Sequence, residues 1–451
     1  MPTRLLIIAA LAVALWGCQK KDEAQAPQAG ETRPPAASRS TTPLPPAEPL
    51  KAPAFLSAPL EASIIETTNE ALPVWRKFAK NRPLLVIVSQ GPAMAPIPAE
   101  IADEALELLR DGDDATLKTR TGMNDPDPVL LPLMSVSAAL DADWLSGVIW
   151  VFPSSAIPDQ IDPATFQQQL VSAGFASEDE AQALTFDKGV FRGTLRGKPF
   201  TAAPLAAVPA LEQPALLHFD IDYFKPLYKG EIKTPLHNLL FDLLAGLKEK
   251  HWQVAGATVS LSNLGAELPL QTRFLGYTLA DILHEPALLG GELPAVWQAR
   301  ADALYLENFM QKEKQKEIYE KLVKEEPADA SLKFALYHVY RQYQDKGDEA
   351  LTYLDQASRI DPIYGLEYLA LAELALQRKR PAKAVEMAQL ARAARPNDPF
   401  VLLQSVRTML NAGAAEHAKT LLPQLSALHW SQFYYPELIQ ETEGLVSLLK
   451  N

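Results

Sequence analysis

The chain has 451 residues, 48% of them hydrophobic, and a formal charge of -13 at pH 7. Its length and composition predict two or three globular domains, each with its own core. The negative charge argues against nucleic acid, or an anionic membrane surface, as a partner. The single cysteine excludes a disulfide within the chain, so stability must come from packing even in an oxidising compartment.

Residues 1–18 have the features of a secretory signal. Arg4 precedes an apolar run over residues 5–15, which is too short to span a membrane comfortably. The segment Leu15-Trp16-Gly17-Cys18 then resembles the lipobox of bacterial lipoproteins, although Trp16 is bulkier than the usual occupant. In that family the signal is cut before a cysteine that becomes lipidated. The alternatives are an uncleaved anchor, or an ordinary signal with a chance cysteine.

Lipidation of Cys18 would place the protein at a membrane. The resemblance implies two or three acyl chains on this residue, enough for stable anchoring. Gln19 stands where an inner-membrane retention aspartate would stand, so the resemblance implies an outer-membrane anchor facing the periplasm of a bacterial envelope. We expect this lipid anchor to be the only membrane contact. Lipidation would also remove the liability of a free thiol in an oxidising compartment.

Residues 19–59 are rich in proline, alanine, serine and threonine, and Phe55 is their first aromatic residue. Such a segment cannot bury enough apolar surface to offset the entropy of ordering. It is therefore predicted to be a disordered tether, with a reach of up to ~100 Å if it is extended. A proline-rich ligand for a partner domain is the alternative, but no repeated motif stands out.

Residues 60–292 alternate short apolar runs with amphipathic helical patterns. Continuous apolar runs are typical of strands covered on both faces. Strands separated by helices predict a three-layer α/β domain with a mostly parallel sheet. The predicted strands are 83–89, 147–152, 215–222 and 253–261, and the clearest predicted helices are 99–110, 236–248 and 270–283.

The third predicted strand ends in residues that bear chemistry. His218, Asp220 and Asp222 are two apart, so in a strand they project from one face. Parallel sheets bind ligands at the carboxyl ends of their strands. Two adjacent carboxylates repel unless a proton, an arginine or a cation neutralises them, and imidazole and carboxylate both ligate divalent metals. The structural alternative is a core histidine, with Asp220 as the cap of the loop that follows.

A family resemblance bears on these three residues. The segment His218-Phe-Asp-Ile-Asp-Tyr-Phe-Lys-Pro226, followed by Gly230 and Thr234-Pro235, resembles the second metal motif of the ureohydrolases, the arginase and agmatinase family. The resemblance implies that Asp220 and Asp222 match two aspartates that ligate paired manganese ions. It would make the chain a hydrolase of C–N bonds that depends on Mn or Zn.

The chain also departs from that family. No histidine precedes His218, and Ser260, Ser262 and Asn263 stand where the family presents an acid. Two carboxylates and one histidine cannot form a normal dinuclear site, so one mononuclear site for a divalent metal (Mn or Zn), or no metal site, remains. We therefore expect a degenerate ureohydrolase-like core with no catalytic residues, and no resident cofactor unless that single metal binds. Phosphate-binding glycine loops, nucleophile elbows and His-Glu-x-x-His helices do not occur in the sequence either.

Residues 296–451 have a helical pattern throughout, and the pattern repeats. Pro327, Pro362 and Pro396 are 35 and 34 residues apart. This is the length of a tetratricopeptide repeat (TPR), and small residues such as Ala372 and Ala384 stand where the paired helices approach closely. The resemblance implies an all-α solenoid with a capping helix, whose inner groove binds peptides or helices of other envelope proteins. Tyr337, Tyr340 and Arg341 are candidates for that groove, and packing seams are the alternative for the tyrosines.

These observations predict a membrane-anchored scaffold that binds proteins through its repeats, with a non-catalytic α/β domain. The competing hypothesis is an anchored metal-dependent hydrolase centred on Asp220 and Asp222.

Overall fold

The computed structural model describes residues 46–122, 124–261 and 270–450. The predicted signal, Cys18 and most of the predicted tether lie outside these residues. Within them, an α/β region is followed by a helical region, so the predicted combination of the two is confirmed. No helix of the described ranges is both long and apolar enough to cross a membrane.

The strands of the α/β region form one mixed sheet. In the described part of the chain it has eight strands: β1 Ala62–Ile65, β2 Leu84–Val88, β3 Gly147–Phe152, β4 Thr185–Asp187, β5 Val190–Leu195, β6 Lys198–Pro204, β7 Ala215–Asp220 and β8 Val254–Ser260. Their order across the sheet is β1-β8-β7-β2-β3-β6-β5-β4. From β1 to β6 in this order, each pair of adjacent strands is parallel. The pairs β6–β5 and β5–β4 are antiparallel.

Helices cover both faces of this sheet, as the continuous apolar strands require. Their bounds are α1 Leu72–Arg76, α2 Ala102–Asp111, α3 Asp114–Arg120, α4 Ser135–Asp141, α5 Pro163–Ser172, α6 Glu178–Gln182, α7 Leu236–Lys248 and α8 Phe274–His284. Side chains along β2 point alternately to the two faces of the sheet, and each face has its own apolar core. Leu85 and Ile87 belong to one apolar cluster with α1, α2 and α4, and Val86 and Val88 to a second with α7 and α8.

The antiparallel edge is built by two tight hairpins that were not predicted from the sequence. The first turns at Lys188 and Gly189, with φ of 48° and 81°. The second turns at Arg196 and Gly197, with φ of 52° and 71°. Two successive positive φ values match the twist of a hairpin, and glycine tolerates them without strain.

The folded region begins earlier than the predicted end of the tether. The Phe55 amide donates to the Trp252 carbonyl at 2.7 Å, and the Val254 amide donates to the Pro53 carbonyl at 3.0 Å. Phe55 is buried, and its ring stacks on Phe219 with centroids 6.5 Å apart. Phe55 and Leu56 thus belong to the α/β core and fix the residues around them, because an aromatic side chain buries enough apolar surface to order a short proline-rich segment.

The helical region contains α9 Ala295–Glu307, α10 Lys312–Glu325, α11 Ala330–Tyr340, α12 Gly347–Ile360, α13 Leu366–Gln377, α14 Pro381–Ala394, α15 Pro399–Asn411, α16 Ala415–Lys419, α17 Leu422–Ser426 and α18 Pro436–Lys450. The helices α10, α12 and α14 each have 14 residues, and their starts are 35 and 34 residues apart. The helices α10 and α14 pack against both helices next to them in the chain, and α12 packs against α11 and against the 3₁₀ turn Pro362–Gly365 that precedes α13.

Aspartates fix where the intervening helices begin. The Asp329 carboxylate accepts hydrogen bonds from the amides of Ser331 and Leu332 at the start of α11. The Asp398 carboxylate accepts from the amides of Phe400 and Val401 at the start of α15. Each cap satisfies amides that a helix leaves unpaired, and contributes about 1 kcal/mol.

Among the described residues, hydrogen bonds near α8 and near the end of the chain join the helical region to the α/β region. Near α8, Arg273 donates to Asp361, which precedes α13. Near the end of the chain, the Ser431 amide donates to the Pro126 carbonyl at 2.9 Å, and the Tyr434 hydroxyl donates to the Val129 carbonyl at 3.0 Å. The helices therefore lie along the α/β region instead of projecting freely from it.

Candidate functional site

The residues predicted to bind metal lie at the carboxyl end of β7, beside β2 and β8. His218 and Asp220 belong to the strand and point to the same face. Asp222 does not, because β7 ends at Asp220 and residues Ile221–Phe224 form a 3₁₀ turn. The prediction that all three project from one strand face is therefore wrong for Asp222.

His218 is a core histidine. It is fully buried, its Nδ1 is 2.8 Å from the Thr258 hydroxyl, and its ring meets Trp75 edge-on at 5.6 Å. Its Nε2 has no hydrogen-bond partner among the described residues. Burial lowers the pKa of His218 to about 3, so the imidazole is neutral at physiological pH. These surroundings agree with the structural alternative, in which His218 is a core histidine.

The two aspartates form hydrogen bonds to the backbone. The Asp220 carboxylate accepts from the Asp222 amide at 3.0 Å and so caps the 3₁₀ turn. The Asp222 carboxylate accepts from the Gln90 amide at 2.9 Å, which ties the turn to the end of β2. In the described ranges, no group of three or more His, Cys, Asp or Glu side chains is placed to hold a metal ion. Asp220 and Asp222 remain the residues to test for one.

The three residues proposed for the helical groove are placed differently from one another. Tyr337 and Tyr340 are buried, at 1% and 9% exposure, and occupy the packing seams that were their alternative. The Tyr337 hydroxyl donates to Glu367 at 2.7 Å, and burial is the main cause that raises its pKa. Arg341 is exposed at the end of α11 and donates to the same Glu367 at 2.7 Å. It is the one of the three whose position suits contact with a partner.

An ion triad that sequence reasoning missed joins the two regions. Arg273 is completely buried and donates to both carboxylate oxygens of Glu66 at 2.9 and 2.8 Å, and to Asp361 at 3.0 Å. Burial alone would lower the pKa of Arg273, but the two carboxylates raise it instead. The partners lie 207 and 88 residues away in the chain, so no local pattern could reveal them.

A second missed group surrounds the start of α7. The Glu231 carboxylate is buried and accepts from the Leu236 amide, while burial and the charge of Glu307 raise the pKa of Glu231 to about 7. His237 is also buried, and its ring lies 5.5 Å from that of Phe274. Burial, reinforced by the charge of Arg300, lowers the pKa of His237 to about 4. This group faces α9, so it couples the two regions electrostatically.

Comparison of the chain with protein-family models, with curated proteins and with solved structures gives no match.

Proposed function

We infer that this protein is a lipid-anchored scaffold of the bacterial envelope that binds other proteins through TPR-like helical repeats. The lipobox-like segment ending at Cys18 supports an outer-membrane anchor that faces the periplasm. The partners would be envelope proteins or peptides, and the α/β domain would serve as a non-catalytic support. No resident cofactor is needed for this role.

One observation carries the proposal. The helices α10, α12 and α14 are equal in length, and their starts are 35 and 34 residues apart. This is the period of a TPR, in which each unit buries its apolar side only by stacking on its neighbours. In such an array the first helices of the units line the concave surface, and here these would be α11, α13 and α15.

The contacts of the α/β region support a structural role for it. Asp220, Asp222 and His218 are engaged with the backbone or with a neighbouring hydroxyl. The buried Arg273 connects this region to the helical region through Glu66 and Asp361. Such an arrangement suits a base that fixes the position of the array.

Chemical crosslinking in intact cells tests the proposal with a matched pair of variants. Ala370 is exposed on α13, a first helix of a unit, and Ala382 is exposed on α14, a second helix. We expect Ala370→Arg to remove partner crosslinks by filling the groove, and Ala382→Arg to retain them. If both variants keep the wild-type crosslinks, or neither the variants nor the wild type forms any, the binding role of the array is wrong.

A further inference from the structure

A cleft lies between the α/β region and the last helices, away from the expected groove of the array. It has a volume of about 540 Å³, and its two walls are residues 101–129 and residues 430–439. Volumes of about 300–1,000 Å³ are typical of ligand pockets. The hydrogen bonds of Ser431 to Pro126 and of Tyr434 to Val129 hold the two walls of the cleft together.

One wall supplies an apolar surface. Phe433 is 40% exposed in the cleft, beside the largely buried Trp430 and the partly buried Ile439. Trp430 is fixed in place because its indole Nε1 donates to the Thr442 hydroxyl at 2.8 Å. An exposed aromatic ring on a rigid support is typical of the residues that contribute most to protein recognition.

The opposite wall carries an excess of negative charge. Arg120 is its one cation within the described lining, and it lies 3.2 Å from Glu104 and 3.6 Å from Asp125. Two carboxylates therefore already balance this arginine. Asp127 adds a third, exposed carboxylate to the same wall. A cation is favoured in this cleft and an anion is disfavoured.

We propose that this cleft binds an extended peptide segment of a partner protein that carries a lysine or arginine next to an apolar side chain. The basic group pairs with Asp127 and shares Glu104 with Arg120, and the apolar group packs on Phe433. The inference rests on the proposed function, because it names a place where a partner is held. It adds a second site, so the partner contacts both the array and the cleft.

The test uses the full chain in nonionic detergent and a fluorescein-labelled peptide of alternating lysine and leucine, measured by fluorescence anisotropy. We expect Glu104→Gln/Asp127→Asn and Phe433→Ala each to raise the Kd about five- to tenfold. The control Asp159→Asn/Glu212→Gln makes the same change in net charge at exposed positions elsewhere, and Ile157→Ala removes an exposed apolar side chain. Both controls are expected to leave the Kd unchanged.

Control peptides test the two halves of the chemistry. Replacing the leucines by serine is expected to weaken binding to the wild type and to abolish the effect of Phe433→Ala. Replacing the lysines by glutamate is expected to abolish binding. Equal Kd values for the wild type and both cleft variants would overturn the inference. It would also be overturned if Asp159→Asn/Glu212→Gln raised the Kd as much as Glu104→Gln/Asp127→Asn.

Failure of the cleft is distinguishable from failure of the proposed function. If the cleft variants bind the peptide normally while Ala370→Arg removes the cellular crosslinks, only the cleft inference is wrong. If Ala370→Arg leaves the cellular crosslinks intact, the proposed function is wrong whatever the peptide does.

Discussion

Replacement of Arg273 by alanine tests how the two regions are held together. The guanidinium is fully buried and donates three charge-assisted hydrogen bonds, two to Glu66 and one to Asp361. Removing one member of a buried ion pair costs about 3–5 kcal/mol, because the remaining charges are left uncompensated. The side chains of Glu66 and Asp361 are 34% and 22% exposed, so water can partly solvate them in the variant. We therefore expect Arg273→Ala to lower the free energy of unfolding by about 3 kcal/mol, the lower end of that range.

Urea unfolding followed by circular dichroism measures this loss. Arg378→Ala is the matched control, because Arg378 is an exposed arginine just after α13, and it is expected to change the free energy of unfolding by less than about 0.5 kcal/mol. Asp361→Asn removes one of the three charge-assisted contacts but can still cap the following turn. We therefore expect it to lower the free energy of unfolding by about 1 kcal/mol. If Arg273→Ala costs no more than Arg378→Ala, the triad does not hold the regions together and the reasoning is refuted.

Four further predictions concern Glu231, metal binding, the cap formed by Asp220 and the lipid anchor at Cys18. The pKa of Glu231, about 7, lies above its ordinary value of 4.5, so its stabilising contribution is complete below pH 4.5 and is lost as the pH rises through 7. Unfolding measurements from pH 5 to 8 should show stability falling by on the order of 2 kcal/mol, and Glu231→Gln should flatten that slope; an unchanged slope would contradict it. After dialysis against manganese or zinc, the full chain should retain less than about a tenth of an equivalent of metal, measured by plasma mass spectrometry. Asp220→Ala should lower the free energy of unfolding by about 1 kcal/mol, because the 3₁₀ turn loses its cap. If the wild type instead retains a full equivalent of metal, and Asp220→Ala/Asp222→Ala does not, the hydrolase hypothesis is supported. Cys18→Ser should move the protein from the membrane to the soluble fraction on cell fractionation, and a variant that still sediments with membranes would disprove the lipid anchor.

The parts of the fold that were predicted correctly are those with a strong local pattern. The strands β2, β3, β7 and β8 are continuous apolar runs, and the bounds of α7 agree with the predicted helix 236–248. The strands β4 and β5 were missed because exposed polar residues interrupt their apolar pattern, and the strands β1 and β6 were missed as well. The pairs Lys188-Gly189 and Arg196-Gly197 suit hairpin turns, and they were the clear indication of β4, β5 and β6 in the sequence.

The site residues show a different limit of sequence reasoning. The spacing of His218, Asp220 and Asp222 predicted a common face only as long as the strand continued, and the cap made by Asp220 ends the strand first. The burial of Tyr337 agrees with the packing seam that periodicity gave as its alternative. The pairing of Arg273 with Glu66 joins residues 207 positions apart, for which one sequence contains no indication.

Site-specific photo-crosslinking in intact cells tests the central claim, that the helical array holds a partner protein, most directly. A photoreactive amino acid is placed at Ala370 on α13 or at Ala382 on α14, both exposed, and adducts are detected in the membrane fraction. The scaffold account predicts a discrete protein adduct from Ala370 and none from Ala382. Absence of an adduct from Ala370, or the same adducts from both positions, would contradict it.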